Sequence, residues 1–164
     1  MGRHLVFVYG TLKAGEPNHE EFLQPPHDAV FIGKGATVER FPLVIASRYN
    51  IPFVLDAVGQ GNRVQGEVYE VDDNTLADLD ELEEHPEYYE RRQTRIELFN
   101  PSATVLECGM YFLHGFHEKL LTLPRYDNYS SAGAHGLPYR LRDDRVPDPL
   151  HPYSTIDDVK KDIV

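Results

Sequence analysis

Cysteine is nearly absent from this 164-residue chain: Cys108 stands alone. A lone cysteine excludes an internal disulfide and fits a reducing compartment, leaving only a reactive thiol as its special use. Basic residues are scarce, with 16 lysines and arginines against 27 acidic residues and a formal charge of -11. That balance disfavours nucleic acid and anionic membrane as partners, although it does not restrict the charge of a small ligand. No apolar run approaches the roughly eighteen residues of a membrane span, and the N-terminus lacks the apolar core of a signal peptide. The expectation is a cytoplasmic protein without a membrane or nucleic-acid partner. Repeats and low-complexity tracts are also missing, so one domain is expected.

The pattern of what is present suggests an α+β chain. Leu5 to Tyr9 (LVFVY) forms a continuous run of β-formers stopped by Gly10, the signature of a buried strand. Pro17 and Asn18 open a short helix to about Gln24, closed by Pro25 and Pro26. From Val30 to Val71 the runs VFIG, ATVE, FPLVIA, IPFVL and RVQGEVYEV read as strands. Gly33, Gly35, Pro42, Asn50, Pro52 and the Gly59 to Gly61 turn punctuate them at meander spacing. Asp72, Asp73 and Asn74 offer N-caps for a helix over Thr75 to Glu84, which His85 and Pro86 stop. Arg91 to Phe99 and Thr104 to Leu113 form a candidate hairpin about Asn100, Pro101 and Ser102. A long segment, Arg125 to Arg140, is expected to be functional or surface-wrapped. A short helix capped by Ser154 or Thr155 is expected in the tail. Six or seven strands interrupted by one helix point to a strongly curved or closed sheet that covers its own edges.

Chemistry concentrates at two places. Gly10-x-x-x-x-Gly15 begins like a phosphate loop, but Glu16 and Pro17 replace the lysine and hydroxyl, which excludes that use. Thr11 could be a nucleophile, yet no adjacent base or G-x-S-x-G elbow supports it. A third reading uses backbone: Gly10 lets the chain turn so that successive N–H groups leave the sheet and face an oxyanion or carboxylate. A plain strand-ending turn remains the alternative. The second place is the helix. With Leu76 at zero and about 100° per residue, Leu79 falls at about -60°, Leu82 at about -120° and Glu83 at about -20°. Glu83 therefore lies inside the apolar stripe, whereas Asp78, Asp80, Glu81 and Glu84 fall on the flanks or the opposite, solvated side.

A carboxylate on an apolar stripe is costly unless paired or protonated, and the negative end of the helix dipole also favours its neutral form. Both effects predict a raised pKa, suited to moving a proton between two nitrogens. The alternatives are a carboxylate reaching solvent at the stripe's edge, or an ion pair with Arg91 or Arg92. Metal readings do worse. Leu76 and Ala77 break an EF-hand from Asp72, and His114-x-x-His117 has no third ligand fixed by spacing.

The segments VFVYGTLKAGEPNH, FPLVIASRYNIPFVL, GEVYEVD, LDELEEHPEYYERR and YDNYSSAGAHGLPYR occur in this order from about Leu5 to Arg140. Together they resemble the gamma-glutamylamine cyclotransferases of the gamma-glutamylcyclotransferase-like superfamily. The resemblance implies a single domain over residues 1–164, with residues from about 141 a variable tail without counterpart. It implies a small mixed closed β-barrel with flanking helices and a pocket at its rim. The implied reaction converts an L-γ-glutamylamine, notably γ-glutamyl-ε-lysine from degraded transglutaminase cross-links, into 5-oxo-L-proline and a free amine. It uses no metal or organic cofactor, and a monomer is expected. By motif match Tyr9, Gly10, Thr11 and Leu12 bind substrate and Glu83 is catalytic. Tyr9, Ile51, Pro52 and Tyr129 are expected pocket walls, and His85 or Glu87 could tune the leaving amine. Alternatives are a cyclotransferase for γ-glutamyl amino acids or glutathione, a hydrolase using Thr11, and a non-catalytic module binding a small metabolite or a protein.

Overall fold

The computed structural model describes residues 2–47, 50–100, 104–131, 133, 135–137 and 139. The expected Asn100 to Ser102 turn lies partly outside these residues, and the expected tail helix lies entirely outside them. In chain order the elements are β1 (Arg3–Val8), α1 (His19–Leu23), β2 (Ala29–Phe41), β3 (Leu43–Ala46), β4 (Ile51–Val54), β5 (Asn62–Asp72), α2 (Asp73–Leu82), β6 (Tyr89–Leu98) and β7 (Val105–Leu113). A 3-10 helix, Glu118–Thr122, follows. No helix among the described residues is long and apolar enough to cross a membrane.

Five strands close into a barrel in the order β1, β5, β2, β6, β7, while β3 and β4 form a separate two-stranded ribbon. Closure is made by a parallel contact, Val6 opposite Gly109 between β1 and β7. The other strand pairs of the barrel are antiparallel, including the β6–β7 hairpin from Tyr89 opposite Leu113 to Glu97 opposite Val105. The barrel explains why LVFVY reads as a continuous apolar run. Phe7 and Tyr9 enter one cluster with Val64, Val68, Ile96, Cys108, Met110 and Phe112, drawn from the barrel strands. Val6 and Val8 enter a second cluster with Leu76 and Leu79 of α2. A strand covered on both faces has no polar alternation to show.

Three local expectations are corrected. VFIG and ATVE are not two strands but parts of the 13-residue β2, whose register shifts between Phe31 and Gly33 and between Ala36 and Arg40. Gly33 borders the first of these shifts, whereas Gly35 is regularly paired and marks a close approach rather than a turn: a Cβ there would stand 2.5 Å from the Glu97 carbonyl oxygen. Pro52 lies inside β4 instead of ending a strand. The second helix begins two residues earlier than expected, because the Asp72 carboxylate accepts the Thr75 N–H at 2.8 Å and caps it there. β5 therefore passes into α2 without a loop, and α2 ends with Glu83 as its C-cap.

Candidate active site

The end of β1 and the end of α2 meet around three buried phenols. Tyr9 leaves β1 and donates its hydroxyl to the Tyr111 carbonyl at 2.8 Å. Tyr89 opens β6, stacks on Phe53 at 5.6 Å, and directs its hydroxyl toward the Pro52 carbonyl at 3.5 Å. Tyr111 lies on β7 and donates to Asp80 at 2.6 Å. Burial pushes all three phenols above their ordinary pKa, and the Glu83 charge pushes each of them further in the same direction. The half-buried Glu83 carboxylate is thus felt by Tyr9, Tyr89 and Tyr111 together, and near neutral pH these phenols act as neutral donors.

Glu83 owes its place to the end of α2. Its N–H donates to the Leu79 carbonyl at 3.0 Å, and its own carbonyl receives the Tyr89 N–H at 3.3 Å. Neither expected arginine is given to it. Arg91 makes a bidentate pair with Asp80, at 2.9 and 3.1 Å. Arg92 binds Glu90 and reaches Asp56 at 2.8 Å.

The turn after β1 has a definite polarity. The Gly10 carbonyl accepts the Lys13 N–H at 3.1 Å, and the Thr11 carbonyl accepts the Asn18 N–H at 2.8 Å. The Leu12 carbonyl accepts His19 Nδ1–H at 2.9 Å, a tautomer that leaves Nε2 to accept the Gln24 amide at 3.2 Å. With all three carbonyls engaged, the N–H groups of Gly10, Thr11 and Leu12 meet no acceptor among the described residues. Thr11 is half-buried, and its Oγ1 accepts from Asn18 Nδ2 at 2.8 Å. No basic side chain contacts that hydroxyl among the described residues. Leu12 is buried in the cluster under α2.

Gly10 corrects one sequence argument. Its φ is not in the left-handed region; what requires glycine is Pro52, whose Cγ would stand 2.9 Å from a Cβ. Of the expected walls, Pro52 is therefore in direct contact with the turn, and Ile51 is its half-buried neighbour on β4. Tyr129 is joined differently: the buried Lys13 donates Nζ to the Tyr129 carbonyl and to Asn128 Oδ1, the latter at 2.8 Å. Its own hydroxyl is buried without a partner among the described residues.

Several supporting residues were not evident in the sequence. Glu67, buried in β5, accepts the Ala14 N–H at 2.9 Å and the Tyr69 hydroxyl at 2.8 Å, fixing the chain just past the turn. A carboxylate in the middle of a strand-forming run was the available signal. Asn18 and His19 are further examples, and their only sign was proximity to the turn. Among the described residues no cluster of three metal-ligating side chains occurs, and His114 Nε2 donates to the Pro86 carbonyl at 2.8 Å.

The N–H side of the turn can hold an anionic oxygen, and a carboxylate whose charge reaches the Tyr9 phenol stands near that turn. Comparison with known proteins places it in context. A family model described as "Gamma-glutamyl cyclotransferase, AIG2-like" matches residues 6–131. The gamma-glutamylaminecyclotransferase of Homo sapiens is 42% identical over 151 residues, covering 86% of this chain and 99% of its own length. Gamma-glutamylaminecyclotransferase C of Danio rerio is 40% identical over 152 residues, covering 90% of this chain and 100% of its own. The crystal structure of an AIG2-like protein from Mus musculus superposes with a TM-score of 0.83 at 41% identity. It covers 88% of this chain and 100% of its own.

Proposed function

The chain belongs to the gamma-glutamyl cyclotransferase, AIG2-like family, and on that premise we propose that it is a gamma-glutamylamine cyclotransferase acting on γ-glutamyl-ε-lysine. The supporting observation is the juxtaposition made by Tyr9. Its backbone leads into a turn with unused N–H groups, and its phenol feels the charge of Glu83. The relatives in Homo sapiens and Danio rerio, named for this activity, support the same reading over most of the chain.

The reaction is an intramolecular amide exchange. The substrate's α-nitrogen forms a bond to the γ-carbonyl carbon, and the bond from that carbon to the departing amine breaks. Closing a five-membered ring needs only the correct rotamers to be held, so positioning contributes a large share of the rate. The α-ammonium must lose a proton before it can attack, and an amide nitrogen must gain one before it can leave. Glu83 is the carrier: over the cycle two protons pass from the α-nitrogen to the departing nitrogen, with no water consumed. The N–H groups of Gly10, Thr11 and Leu12 receive the anionic oxygens of the substrate or of the tetrahedral intermediate. The neutral phenols of Tyr9, Tyr89 and Tyr111 exclude water around the carboxylate.

A hydrolase using Thr11 would instead release glutamate. The test is to incubate the protein with γ-glutamyl-ε-lysine and weigh the products, in wild type and in Glu83→Gln and Thr11→Ala. Equal 5-oxo-L-proline and lysine from the wild type are expected. Glu83→Gln should reduce kcat at least about 100-fold, within the range of general acid–base catalysis. Thr11→Ala should reduce it less, because the backbone acts there. Glutamate as product, or a Glu83→Gln protein of normal rate, would overturn the reading.

A further inference from the structure

Asp80 stands three residues before Glu83, on the helix flank that the sequence assigns to solvent. Its surroundings are different. The carboxylate receives Arg91 Nε at 2.9 Å, Arg91 Nη2 at 3.1 Å and the Tyr111 hydroxyl at 2.6 Å. Its backbone carbonyl receives the His85 N–H at 2.9 Å, and His85 Nδ1 accepts the Arg91 N–H at 3.0 Å. Four hydrogen bonds thus tie the chain between Asp80 and His85, with Glu83 inside it, to β6 and β7, and a fifth closes the segment on itself. The Arg91 and Asp80 side chains are only 25% and 24% exposed, and the planar two-pronged contact fixes orientation as well as distance.

Arg91 reaches Asp80 by lying over β7 at Gly109. A Cβ there would stand 3.2 Å from Arg91 Cδ, so the barrel's closing residue also leaves space for this side chain.

We propose that Asp80 is a positioning residue for Glu83: its clasp on Arg91 and Tyr111 fixes the C-terminal end of α2 on the barrel. The proposal rests on the acid–base reading of Glu83. A displacement of about 1 Å at a reacting group can cost about 100-fold in rate, so the clasp acts on kcat.

Steady-state kinetics with γ-glutamyl-ε-lysine test it, with circular dichroism to establish folding and calorimetry to follow 5-oxo-L-proline binding. Asp80→Asn keeps the shape but loses the charge and the two-pronged acceptor. Its kcat should fall about 10- to 100-fold, with KM and 5-oxo-L-proline affinity within about threefold of wild type. In a Glu83→Gln background the same change should cost nothing further, since positioning a group that no longer carries protons is without effect. A folded Asp80→Asn protein with kcat within about twofold of wild type, a loss confined to KM, or full additivity with Glu83→Gln would overturn the proposal. If Asp80→Asn does not fold, Tyr111→Phe decides: it keeps the ion pair and removes one bond. A lower kcat at constant KM supports the role, and an unchanged kcat overturns it. A wild-type protein that forms no 5-oxo-L-proline would instead overturn the cyclotransferase reading itself.

Discussion

A carboxylate held by a two-pronged arginine and a phenol gives up its charge to acid later than a free one does. For Asp80, burial alone would raise the pKa, but the bonds from Arg91 and Tyr111, with the arginine's charge, bring it below the ordinary 3.8. A group whose folded pKa is depressed stabilises the fold above its unfolded pKa, and that contribution is lost as pH falls through the folded value. The stability difference between wild type and Asp80→Asn, measured by urea unfolding, should therefore be constant from neutral pH down to about 5 and shrink below about 4. A difference that grows on acidification would contradict the clasp. Glu83 stands out in the sequence because a carboxylate on an apolar stripe is out of place. Asp80 was not, because it falls on a flank where acidic residues are usually solvated. Its partners Arg91 and Tyr111 come from two later strands. Gly10 was singled out for the wrong reason: turn freedom was read from the glycine, whereas the ring of Pro52, a residue far along the chain, is what excludes a side chain.

At the scale of elements, α2 matters because it follows β5 without a loop and carries Glu83 at its end. Its hold on the barrel depends on few side chains. Leu79 is fully buried beneath it, among Val6, Val8 and Leu113. Leu79→Ala should lower the unfolding free energy by about 2–5 kcal/mol, the usual cost of a cavity at such a site. Denaturant melts measure this, and a loss under about 1 kcal/mol would mean that the helix is held by something else. Periodicity showed the helix clearly, but its start depended on which of three adjacent polar residues caps it; Asp72, the first, does so. Strand β2 was harder. Gly33 coincides with a register shift, and an irregular long strand looks in sequence like two short ones. The 3-10 helix Glu118–Thr122 was not seen, since five residues are too few for a period to emerge.

At the scale of the molecule, the β6–β7 hairpin was local and therefore readable, and curvature followed from the need to cover edges. The element that closes the ring was not readable in this way: Val6 meets Gly109 across most of the chain, and no residue pattern announces a pairing at that distance. Close packing of the interior gives a direct probe. Cys108 is fully buried, and burial pushes its thiol up to about 12. The folded protein should react with aromatic disulfide reagents only as fast as it opens, and should label at once in denaturant. Rapid labelling of a protein that keeps its circular dichroism would show the interior to be looser than described. A closed ring of strands also has no open row of donors and acceptors for a second chain to extend. The β3–β4 ribbon lies outside that ring, and its flanks are tied by single bridges from Leu43 to Tyr126 and from Leu55 to Leu113. In β4 the residue opposite Ile45 is Pro52, which has no N–H to give. The proline that packs against the turn after β1 thereby also blunts this ribbon against growth by strand addition.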